Sequence, residues 1–153
     1  MLVVSSDPIH TSQALRAFET RAPNAGGIVS FSGQVRGQSD LGQVRMLHLQ
    51  AYSPMTENGI TKAIETANAR WALEAVQVNH RIGDIAPGET IVFVATASKH
   101  RRAAFEAADF LMDYLKTEAV FWKKETIDTG THWIEPRAED YTDASRWIKR
   151  DQG

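Results

Sequence analysis

Two lysines are the first residues in this chain with the makings of a reaction centre. Lys116 follows an apolar helical stripe that ends at Met112 and Leu115, and Lys123 lies in the strand-like run Phe121-Trp122-Lys123-Lys124-Glu125. An ammonium group partly withdrawn from water and close to other cations has a lowered pKa, so it can take part in proton transfer or act as a nucleophile. Strand alternation puts Phe121, Lys123 and Glu125 on one face and Val120, Trp122 and Lys124 on the other. Lys123 and Lys124 therefore cannot both face bulk water if this strand lies within a sheet. The competing reading is that their stems pack on the core while the ammonium groups snorkel to solvent.

Two more features have the composition of an anion site. Ser98-Lys99-His100-Arg101-Arg102 falls where an apolar strand meets a helix. Basic side chains oppose the macrodipole at a helix N-terminus, yet the free backbone N–H groups there favour an anion, so the cluster makes sense if a phosphate or carboxylate docks among them. A solvated charged turn is the alternative. The second feature is Gln34-Val35-Arg36, a strand end within a glycine-rich stretch, where an arginine can make a bidentate phosphate contact or simply occupy a surface loop.

Other chemistries lack their residues. The histidines, His10, His48, His80, His100 and His132, are scattered and form no HxxxH or HExxH pair, so no metal site is expected. Phosphate-loop and dinucleotide glycine patterns and the Gly-x-Ser-x-Gly elbow are missing, and no cofactor is expected. Zero cysteines exclude disulfides, thiolate metal sites and a thiol nucleophile within this chain. Seventeen Lys and Arg against 19 Asp and Glu, a net charge of -2, argue against a nucleic-acid coat. The longest mostly apolar stretch outside the N-terminus, Ile91 to Ala97, is far below the roughly 20 residues that span a bilayer, and the N-terminus lacks a basic leader, so a cytoplasmic protein with no membrane partner is expected.

The elements that must position these residues follow from periodicity. With 153 residues, 42% hydrophobic and 24% charged, the chain fits one domain over 1–153 with a core of its own. Helices are expected from Thr11 to Arg21, from Thr56 through Trp71, and from Lys99 to Glu118; the last carries the stripe Ala104, Ala107, Ala108, Leu111, Met112 and Leu115. Strands are expected at Ile28–Val35, Val44–Tyr52, Ala75–Ile82, Ile91–Ala97, Val120–Ile127 and His132–Glu135, with a turn at Asp84–Glu89. In Val44–Tyr52 the alternation sets Val44, Met46, His48 and Gln50 against Arg45, Leu47, Leu49 and Ala51. Gly33 to Gly42 reads as a mobile loop, and Thr142 to Lys149 as one or two helical turns. Several strands are joined by loops too short for a parallel crossover, so the pattern indicates an α+β sandwich of a mixed sheet with packed helices.

FSGQVRG, the strand ending LQAYSPMTE, and the run from NHRIGDIAPGE through SKHRR and MDYLK to FWKKE occur in one order. Over about Gly26 to Arg137 they resemble the catalytic large subunit of molybdopterin synthase. The resemblance implies an α/β hammerhead-like fold with mixed and antiparallel strands. It also implies the sulfurtransferase activity that converts cyclic pyranopterin monophosphate, precursor Z, into the dithiolene molybdopterin of molybdenum cofactor biosynthesis. The implied partners are a small ubiquitin-like sulfur-carrier subunit with a C-terminal Gly-Gly thiocarboxylate and a second copy of the chain, as a homodimer within a heterotetramer. Carried over residue by residue, the implied substrate contacts are Gln34, Val35, Arg36, His100, Arg101, Lys116, Lys123, Lys124, Glu125 and Arg137, and Lys116 and Lys123 match the lysines central to catalysis. A non-catalytic α+β module that binds an anionic ligand or a partner tail is the competing reading; it would not need Lys116 and Lys123 to converge.

Overall fold

A computed structural model of the chain describes residues 1–150. In chain order it contains β1 (Leu2–Ser5), α1 (Thr11–Thr20), β2 (Gly27–Gln34), β3 (Gln38–Ser39), β4 (Gly42–Ala51), α2 (Met55–Arg70), β5 (Ala75–Arg81), β6 (Gly83–Ile85), β7 (Thr90–Ser98), α3 (Arg101–Thr117), β8 (Phe121–Ile127), β9 (Gly130–Ile134) and α4 (Ala138–Arg150). The α+β class holds. The strands, however, divide into two sheets rather than one. The first has the order β1-β5-β7-β2, with β1 parallel to β5 and the other pairs antiparallel. The second runs β3-β4-β8-β9 with β6 also on β4, all antiparallel.

The apolar run of β7 is explained by cover on both faces. Val92 and Val94 face α2 and α3, packing with Ile60, Ala63, Leu111 and Leu115. Phe93, Ala95 and Ala97 face α1 and pack with Phe18 and Ala22. Phe18 and Phe93 are each 1% exposed, and burial of a side chain of that size contributes about 2–3 kcal/mol. A third apolar cluster, Val35, Val44, Leu47, Leu49 and Ile85, with Phe121 and Ile134 against it, belongs to the second sheet. It forms the floor of the site described below.

Three local expectations change. A register shift between Val44 and Met46 in the pairing of β4 with β8 re-phases the strand, so Val44 joins Leu47 and Leu49 on the buried face and strict alternation fails at Arg45. The glycine-rich segment after β2 is pinned rather than loose. The Val35 N–H donates to the Glu89 carbonyl at 3.0 Å, the Gly88 N–H to Val35 at 2.8 Å and the Val44 N–H to Gly37 at 3.0 Å, and β3 pairs with β4. The tail forms 13-residue α4, longer than its weak apolar pattern suggests.

Tertiary contacts hold α4. The Trp147 indole N–H donates to Asp113 Oδ2 at 2.6 Å, and Arg146 pairs with Asp113 at 2.8 Å and Asp109 at 2.9 Å. Trp147 also meets Trp71 and Phe110 edge-on, with centroids 5.6 and 5.7 Å apart. Among the described residues no helix is long and apolar enough to cross a membrane.

Candidate active site

Strand β8 places its side chains as alternation requires. Lys123 lies between Leu49 of β4 and Ile134 of β9, and Glu125 between Leu47 and His132. The stem of Lys123 is thus flanked by apolar neighbours, and the residue as a whole is half-buried. Burial first, and the nearby Lys116 second, lower its pKa to about 8, while Asp140 acts in the opposite direction. Lys116 reaches the same place from the last turn of α3, where a cation also suits the helix dipole.

The two lysines line one cavity of about 360 Å³. Gln34, Val35 and Arg36 enter it from the end of β2, positioned by the backbone bonds between Val35 and the Pro87-Gly88-Glu89 turn. Glu125 lines it too, only 7% exposed, and its Oε1 has no hydrogen-bond partner among the described residues. A buried carboxylate oxygen left in that state is costly unless a ligand or a cation supplies the missing contact. Glu135, Pro136 and Tyr141 form the wall nearest the C-terminus.

Behind Phe121, another lining residue, sits His80. It is 4% exposed and stacks on the Phe121 ring at 4.1 Å, with 20° between the planes. Its Nδ1 lies 3.0 Å from the Arg81 carbonyl. Burial, reinforced by Lys123 and only partly offset by the Arg81 carbonyl, lowers its pKa to about 4, so the ring is neutral at pH 7 and cannot add to the cavity's positive charge.

The remaining expected residues do not meet at this cavity within one chain. Lys124 is on the opposite face of β8, its Nζ 5.5 Å from the Trp133 ring centroid. There it belongs to an outer row with His48 and Asp84, whose side chains are 2.7 Å apart. Arg137 is 72% exposed and pairs with Asp140 at 3.4 Å. His100 caps α3 without a side-chain cap bond, and His100 and Arg101 are exposed at the end of that helix opposite Lys116. Fifteen residues at 1.5 Å each separate Arg101 from Lys116 by about 22 Å. Among the described residues no cluster of three or more metal-ligating side chains is present.

Residues from the C-terminal segment were missed. Tyr141 and Glu135 line the cavity, and Asp140 acts on Lys123. The legible signal was a helix-start pattern, Arg137-x-x-Asp140, in which the carboxylate accepts the Arg137 N–H at 2.9 Å. Burial pushes the Asp140 carboxyl up, but the Arg137 N–H, Lys116 and the Arg137 guanidinium together bring it below its ordinary value.

A cavity that sets two lysines and an arginine against a buried carboxylate defines an α+β protein suited to a small anionic molecule undergoing proton-assisted chemistry. The family model described as MoaE protein matches residues 4–118, so the family likeness begins upstream of Gly26. The chain is 48% identical over 148 residues to the molybdopterin synthase catalytic subunit of Caulobacter vibrioides, covering 96% of this chain and 97% of that one. Among solved structures it is similar to the molybdopterin biosynthesis MoaE protein of Burkholderia ambifaria, with a TM-score of 0.79, 37% identity and coverage of 96% and 97%. It is also similar to the molybdopterin synthase of Staphylococcus aureus, with a TM-score of 0.78, 28% identity and coverage of 86% and 95%. The chain belongs to the MoaE family of molybdopterin synthase catalytic subunits.

Proposed function

We propose that this chain is the sulfur-transferring subunit of a molybdopterin synthase, acting in the cytoplasm on cyclic pyranopterin monophosphate with sulfur supplied as the C-terminal thiocarboxylate of a small carrier protein. The observation that carries this reading is the convergence of Lys116 and Lys123, from a helix end and a strand, on one cavity that Arg36 also lines. A non-catalytic anion-binding module has no use for that convergence. With no cysteine in the chain, the sulfur must arrive on a partner.

The roles divide by environment. Arg36 offers a planar fork to the substrate phosphate. Lys123, half-buried with a pKa of about 8, is protonated at neutral pH and still able to give up its proton, which suits a group that protonates the oxygen leaving the substrate carbon as the carrier's thiocarboxylate sulfur takes its place. Lys116, exposed at the rim, contributes charge to the oxyanion that forms when water adds to the carrier's carbonyl carbon and the carbon–sulfur bond breaks, which leaves the sulfur on the substrate and the carrier as a carboxylate. His100 and Arg101 lie about 22 Å along α3 from Lys116, so they serve this cavity only as residues of a second copy in the homodimer. Lys124 is assigned no substrate contact.

Incubation of the purified chain with thiocarboxylated carrier and cyclic pyranopterin monophosphate should yield dithiolene product, with none when the chain is omitted. Absence of product from the complete mixture would overturn the reading.

A further inference from the structure

We propose that Asp140 is a positioning residue of this site, its carboxylate serving as the buried counter-charge against which the ammonium groups of Lys116 and Lys123 are held. The inference rests on the sulfur-transfer reading and adds a residue from the C-terminal helix to it.

Asp140 is 7% exposed, and a carboxylate that far from water requires compensation. Its partners just before α4 are modest: the Arg137 N–H at 2.9 Å, and an Arg137 guanidinium that is 72% exposed and 3.4 Å away. Further compensation acts at longer range, from the cavity side. Pro136 and Tyr141, on either side of Asp140 in sequence, line the space that Lys116 and Lys123 line. Asp140 is the carboxylate that acts on Lys123, and Lys116 acts on Asp140, so one acid lies within electrostatic reach of both cations. The anchor is firm: Trp147 and Arg146 hold α4 to Asp113, one helical turn before Lys116 on α3.

The other charged and titratable groups around this set are few. Arg36 comes from the end of β2, Glu125 from β8 and Glu135 from the end of β9, with Tyr141 beside Asp140 and His132 opposite Glu125. His80 lies behind Phe121 and is neutral. Two lysines and an arginine crowded into one cavity repel one another, and a fixed carboxylate beside the lysine pair lowers that repulsion before substrate arrives. Without it, Lys123 would shed its proton at lower pH and the pair would splay.

The test separates charge from structure. D140N keeps an oxygen for the Arg137 N–H but removes the negative charge, whereas D140E keeps the charge. In the sulfur-transfer assay the wild type should lose activity as pH rises through about 8, where Lys123 deprotonates. D140N should lose it at lower pH; a displacement of one unit leaves about one-tenth of wild-type activity above the limb. D140E should restore the wild-type limb. The Lys123 Cε resonance, followed by NMR in carbon-13-lysine protein, should titrate lower in D140N by the same displacement. Should D140N fold poorly, D140S, which also retains an oxygen acceptor, gives both readouts. Coincident pH limbs and Lys123 titrations in wild type and D140N would overturn the role of Asp140. A wild type that makes no product would instead overturn the functional reading, and the NMR titration would still decide whether Asp140 holds the lysine's charge.

Discussion

His80 lies flat against Phe121, their ring centroids 4.1 Å apart, and Phe121 in turn lines the cavity that holds Lys123. A buried neutral histidine in the first sheet therefore backs the reaction wall contributed by the second. The pairing makes the site sensitive to acid from behind as well as to base at its lysines.

The acid limb is the first prediction. His80 has a pKa near 4 when folded against an ordinary 6.5, so the unfolded chain binds more protons between those values. Stability is complete above pH 6.5 and falls as pH drops toward 4, by on the order of 3 kcal/mol from this group. H80Q, which cannot charge, should flatten that part of the stability profile in urea melts at stepped pH. An unchanged slope would remove His80 as the cause.

Lys123 has the opposite consequence at high pH. Its folded pKa of about 8 lies below the ordinary 10.5, so folding disfavours the charged form, and this penalty is relieved as pH rises from 8 to 10.5. Catalysis and stability should therefore diverge there, activity falling while this group's contribution to stability rises. A pH profile of initial rates set beside thermal melts over the same range checks the divergence.

Replacement of either lysine tests the centre directly. K116A and K123A should each cost on the order of a hundredfold or more in product formation, the usual scale of a lost acid or oxyanion contact. K123M, which keeps a stem between Leu49 and Ile134 but removes the charge, should not lower the melting temperature, because the cation it removes is opposed by burial and by Lys116. K124A, on the far face of β8 above Trp133, should leave product formation close to wild type. A large catalytic loss in K124A would mean that the outer face of the sheet takes part.

The clasp on α4 offers a test of coupling between fold and site. Asp113 accepts from both Trp147 and Arg146, and D113A removes both bonds at an expected cost of about 1–3 kcal/mol. Because α4 carries Asp140 and Tyr141, D113A should also reduce activity more than its stability loss explains at a temperature where it remains folded. Full activity in a measurably destabilised D113A would separate the clasp from the site.

Gly26 makes a purely steric prediction. A Cβ placed there would stand 2.1 Å from the Lys99 carbonyl oxygen, a backbone atom that cannot step aside. G26A should destabilise the protein by about 2 kcal/mol or more, and the disturbance should fall on the turn that starts α3 at His100 and Arg101. Chemical denaturation of G26A beside G37A, whose added Cβ meets nothing within 4 Å, provides the comparison.

The sequence by itself determined what depends on neighbours a few residues apart. The opposite facings of Lys123 and Lys124, the stripe of α3 and the double-sided burial of β7 all follow from periods of 2 and 3.6, because side-chain direction is set by local backbone geometry. Family motifs likewise brought out Arg36, Lys116 and Lys123. Only the tertiary structure decided which of these meet. The pairing of β4 with β8, the bulge near Arg45 and the docking of α4 on α3 join residues tens of positions apart, and no local pattern encodes such contacts. The same long-range packing brought Asp140 and Tyr141 to the cavity and left His100 and Arg101 at the far end of a rigid helix. Helix length is a local property. Which other element, or which other copy of the chain, stands at each of its ends is not.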